Sequence, residues 1–155
     1  MRREELIALM EGAFRRNSPV LPSSLMLSPS NLPEVEEIAA ELEKHSDLDD
    51  CFVEKFHSAL PFFSEQGMAM ILPEFIIYAL KHPDSEVEDQ VVSALSWLSE
   101  DDAFLTRLTR EQVLILADVS TLFSSDYPLG TNYQKKLAEF FQSIAGGKGD
   151  SVCLR

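Results

Sequence analysis

The chain has 155 residues, 45% hydrophobic and 25% charged, the size of one ordinary domain and long enough to build a core without metal or disulfide staples. Its 26 acidic residues against 13 basic ones leave a net charge of −13, which repels phosphate backbones and anionic headgroups, so neither nucleic acid nor a membrane is an expected partner. Two cysteines, Cys51 and Cys153, are too few and too far apart for a disulfide framework, and a reducing, cytoplasmic home is expected.

Nearly every periodic segment follows helical spacing and none sustains the alternation of a strand, so the fold class is all-α. Met1-Arg2-Arg3-Glu4-Glu5 passes straight into an amphipathic pattern, without the unbroken apolar region of a signal peptide. Leu6, Met10, Ala13 and Phe14 form one stripe of a first helix, from about Glu4 to Arg16. Between Ser18 and Pro33 lie four of the eight prolines and five serines, which favour extended and turn geometry. Because Val20, Leu21, Leu25, Met26 and Leu27 interleave with them, this loop is expected to pack onto the body.

Pro33 suits the first turn of a second helix, whose Val35, Ile38, Ala39 and Leu42 share a face. Asp47 can cap a third, from about Leu48 to Leu60, with Leu48, Phe52, Phe56 and Leu60 in line and Cys51 packed as a small half-buried hydrophobe. The longest mostly apolar run, Met68 to Leu80, has 13 residues, under the roughly 20 needed to span a bilayer. Ser64 can cap a short helix through Leu72, and Pro73 then begins or kinks another, Glu74 to Lys81, which is apolar all round and belongs at the centre. Asp84 or Ser85 opens a helix with Val87, Val91, Ala94, Leu95 and Leu98 on one side, followed by a turn or two near Ala103 to Leu108. Thr109 and Gln112 have the spacing of a capping box ahead of a helix running to about Ser124. After a turn at Pro128 and Gly130, Tyr133, Leu137, Phe140, Phe141 and Ile144 give a last stripe that ends at Gly146 and Gly147. The expected architecture is a single compact bundle of about seven helices over 1–147 with a disordered tail, 148–155.

Leu60-Pro61-Phe62-Phe63-Ser64 followed by Met70-Ile71-Leu72-Pro73-Glu74-Phe75-Ile76-Ile77-Tyr78-Ala79-Leu80 resembles a family of small bacterial all-helical proteins of unknown function, whose members carry an aromatic-rich leader before a Leu-Pro-x-aromatic-Leu helix. The likeness extends to Gly12-Ala13-Phe14 with the Pro-rich segment after it and to Leu108-Thr109-Arg110-Glu111-Gln112. It implies a compact helical bundle and carries over no cofactor and no site residue. Glu74 departs from the family pattern, which has a small residue after the proline.

Catalytic signatures are missing: there is no Gly-rich phosphate cradle, no Gly-x-Ser-x-Gly elbow and no Cys-x-x-Cys. Asp50, Glu54 and His57 would share one helix face, and Glu-x-x-His is the spacing of di-metal bundles, but those need a second copy on a facing helix and none occurs. Cys51 and His57 would lie about 120° apart around a regular helix and could not act as a nucleophile pair. His82, before Pro83, is expected at a helix C-terminus with its imidazole on free carbonyls, and Glu74 in a helix's first turn, where the macrodipole favours an acid.

Charge is the most informative feature. Residues 34–50 carry a balance of −7 and residues 84–102 another −7, while 1–33, 51–83 and 103–155 sum to +1, −1 and +1. Acidic residues so concentrated can steer and hold a basic partner. The reading is a non-catalytic, cofactor-free protein-binding module, most concretely an immunity-type protein that neutralises a basic toxin or effector, with a nuclease as the natural example. Its contact residues would be Glu36, Glu37, Glu41, Asp47, Asp49, Asp50, Asp84, Glu86, Glu88 and Asp89. The alternatives are a metal-binding bundle enzyme built on Asp50, Glu54 and His57, or a structural homo-oligomer joined through an apolar patch that includes Trp97 and the Pro-rich loop; a homodimer stays open.

Overall fold

The structure, a computed structural model, describes residues 2–14, 27–28, 32–44, 50–83, 85–98, 103–126 and 131–148. Among the described residues there are eight α-helices, one 3-10 turn and no strand, which agrees with the all-α reading. They are α1 (Arg3–Phe14), α2 (Pro33–Lys44), α3 (Asp50–Lys55), the 3-10 turn Leu60–Phe62, α4 (Glu65–Lys81), α5 (Val87–Ser96), α6 (Ala103–Arg107), α7 (Arg110–Asp126) and α8 (Thr131–Gly146). The chain groups into two compact units: a central unit, Asn17–Ala94, and a terminal unit, Met1–Arg16 with Leu95–Arg155. None of the helices among the described residues is long and apolar enough to cross a membrane. The turn at Pro128 and Gly130 and the tail beyond Lys148 lie outside the described residues.

In the central unit α2 buries Val35, Ile38 and Leu42, three of the four residues its stripe predicted. Helix α3 is shorter than the spacing suggests. It stops at Lys55, and a turn through Ser58 leads into the 3-10 turn. Pro61 lies inside that 3-10 turn and has no N–H to give to the His57 carbonyl, so a regular α-helix does not run on through it. Phe52, Phe56 and Leu60 are buried all the same, with the two phenyl rings 5.0 Å apart. Of the Pro/Ser-rich loop, Leu27 and Ser28 are described. Leu27 is buried and makes an isolated antiparallel bridge with Phe63, and the Ser28 N–H donates to the Phe62 carbonyl at 2.9 Å, which ties this part of the loop to the body as expected.

Helix α4 is the axis of the central core. Ser64 caps it, its hydroxyl accepting from the Gly67 N–H at 3.0 Å. The two helices expected on either side of Pro73 are one continuous 17-residue helix with Pro73 buried inside it. A proline in a helix interior costs about 3 kcal/mol. Ile71, Leu72, Phe75, Ile76, Ile77 and Leu80 are all essentially inaccessible, and burying each such side chain is worth about 1.5–3 kcal/mol. Exposing only a few of them at a break would cost more than the lost bond, so the helix runs through. At its end the His82 N–H donates to the Tyr78 carbonyl at 2.9 Å and the two rings sit 4.3 Å apart. His82 therefore ends the helix as expected, but through its backbone, its imidazole lying against Tyr78. Helix α5 buries Val87, Val91, Val92 and Ala94.

In the terminal unit α7 packs along α8, and α1 lies against α7. Leu6 and Met10 of α1, Leu105 of α6, Val113, Leu116 and Phe123 of α7, and Phe141 of α8 are fully buried. The capping box forms as read: the Thr109 N–H donates to Gln112 Oε1 at 2.9 Å, and the Gln112 N–H donates to Thr109 Oγ1 at 3.1 Å. Gln112 does more than the motif requires, since its Nε2 donates to the Ala13 carbonyl at 2.9 Å and so ties the end of α1 to the start of α7.

Candidate functional site

Turning Val35, Ile38 and Leu42 inward leaves Glu34, Glu36, Glu37 and Glu43 of α2 exposed. Glu41, at the edge of that face, is drawn into the fold. Lys55 Nζ bonds its Oε1 at 2.7 Å across from α3, and Lys44 Nζ approaches the same oxygen at 3.8 Å. The hydrogen bond from Lys55 to Glu41 and the charges of Glu41 and Glu37 raise the ammonium above the ordinary lysine range, against an opposing effect of desolvation. Lys55 also lies 5.5 Å from the centre of the Phe56 ring. On α4, burial pushes the Tyr78 phenol up, and the negative charges of Glu54 and Asp50 act in the same direction.

The residues expected to meet a partner thus have different fates. Glu36, Glu37, Glu86 and Asp89 are exposed. Asp50 is half-buried at the first position of α3, and Glu41 is engaged with Lys55. Glu88 is a correction: it is 1% exposed and is held within the fold. The physical cause is its helical register, because Glu88 precedes Val91, Val92 and Leu95 by three, four and seven residues and so shares their buried face. Asp47, Asp49 and Asp84 lie outside the described residues. The second acidic run is divided between the units, Asp84 to Asp89 in the central one and Glu100, Asp101 and Asp102 in the terminal one.

The units also divide the net charge unequally. The central unit holds fifteen Asp and Glu against three Lys and no Arg, whereas the terminal unit is nearly balanced, with eleven acids against ten bases. Counting along the chain missed the one cation that matters most on α3, because Lys55 follows the acidic run in sequence yet reaches back to Glu41 in space.

Other expectations are revised. Because α3 ends at Lys55, His57 sits in the following turn, half-buried, with Nδ1 enclosed and without a hydrogen-bond partner among the described residues. Asp50, Glu54 and His57 do not assemble, and among the described residues no three His, Cys, Asp or Glu side chains form a group that could hold a metal ion. Cys51 is exposed rather than half-buried. Glu74 lies in the interior of the continuous α4, not in a first turn, so the macrodipole argument does not apply to it. Trp97 is 52% exposed. Comparison of the chain with protein-family models, curated proteins and solved structures finds no match, so the resemblance over residues 60–80 assigns no family.

Proposed function

We propose that this chain is a non-catalytic binding protein whose central unit captures a basic partner protein, in the manner of an immunity protein that neutralises a cationic toxin or effector. The observation that carries this reading is the segregation of charge, fifteen acids against three bases in the central unit beside a nearly balanced terminal unit. Net negative charge needed only for solubility would have no reason to concentrate in one of two units. Carboxylates on one compact body create a field that a cationic surface meets before contact, which raises the association rate and fixes the orientation of approach. Glu36 and Glu37 on α2 and Glu86 and Asp89 at the start of α5 are the exposed acids we assign to the contact. Lys55 holds Glu41 away from it.

The test is capture of the partner from the native cell, followed by association kinetics with the purified pair. Replacing Glu36, Glu37 and Asp89 by lysine should slow association about tenfold or more at low salt, with most of the difference vanishing near 0.5 M salt, where the Debye length falls to a few Å. Replacing Glu4, Glu111 and Glu139, exposed acids of the terminal unit, changes the net charge equally and should slow it much less. Equal effects from both sets, or binding indifferent to salt, would remove the proposal.

A further inference from the structure

We draw no further inference here: the strongest candidate, the exposed apolar side chains Trp97 and Leu114 of the terminal unit, 52% and 38% accessible, carries nothing because no feature of the structure shows what covers them.

Discussion

Gln112 offers a direct test of how the terminal unit is held together. Its side chain makes two bonds of different reach: Oε1 closes the capping box with the Thr109 N–H, and Nε2 satisfies the Ala13 carbonyl, 99 residues away in the chain. Ala13 lies in the last turn of α1, where carbonyls lack intrahelical donors, so this bond serves a group the helix itself leaves open. Losing a capping interaction costs about 1 kcal/mol, and losing a part-buried hydrogen bond costs about the same. Gln112→Ala should therefore destabilise by about 2 kcal/mol, or roughly 4–8 °C in melting temperature for a chain of this size. Thr109→Ala removes only the hydroxyl cap and should cost about 1 kcal/mol.

Gln112→Glu separates the two roles. The carboxylate still accepts from the Thr109 N–H and gains about 0.3–1 kcal/mol at a helix N-terminus, but it has no donor for Ala13. Its net cost should be under about 1 kcal/mol, with the loss felt in α1. Hydrogen exchange followed by mass spectrometry reads this locally: amides of α1 should exchange faster in Gln112→Glu and Gln112→Ala and keep their protection in Thr109→Ala. If Gln112→Ala costs no more than Thr109→Ala and leaves α1 protection unchanged, the long-range bond contributes nothing and the reasoning fails.

Three further outcomes are expected. Gly12 lies in α1 with open space where a Cβ would stand, so Gly12→Ala should raise stability by about 0.5–1 kcal/mol in thermal melts, and a loss would mean the site is not open. The folded-state pKa of Tyr78 lies above its ordinary value of 10.0, so the stability it contributes is complete below pH 10.0 and is lost as pH rises toward the folded value. Lys55, raised from 10.5, acts with the same sign in the same alkaline window. Urea melts from pH 8 to 11 should therefore show falling stability, and Tyr78→Phe should flatten the fall; an unchanged slope would contradict the burial of this phenol. Asp89→Lys puts a cation in place of an exposed first-turn acid and should cost about 1 kcal/mol, whereas Glu88→Lys should destabilise by about 3 kcal/mol or more, because it forces a cation into a side-chain site that is 1% exposed. Equal behaviour of the two variants in a denaturant titration would show that Glu88 faces water.

Where the sequence could be read, the signal was local. The Thr109–Gln112 box, the Ser64 cap and the helix end at Gly146 all rest on atoms within one turn of one another, so spacing alone identifies them. Glu88 was legible too, since its spacing to Val91, Val92 and Leu95 is that of a buried stripe; treating the acidic run as a uniform surface obscured it. The pairing of Lys55 with Glu41 was not legible, because these residues are 14 apart and meet only once α2 and α3 have taken their places. The bond from Gln112 to Ala13 is hidden in the same way.

Residue order by itself determined that this chain is helical, where most of its helices begin and end, and which face of each is apolar, because helical periodicity and capping depend on neighbours three and four positions away. Only the tertiary structure decided that α4 continues through Pro73, that α3 stops before His57, and that most of the net negative charge falls in one of two units. Each of those outcomes weighs a local backbone cost against burial, or sums charges over a body, and neither quantity exists until distant segments of the chain have packed together.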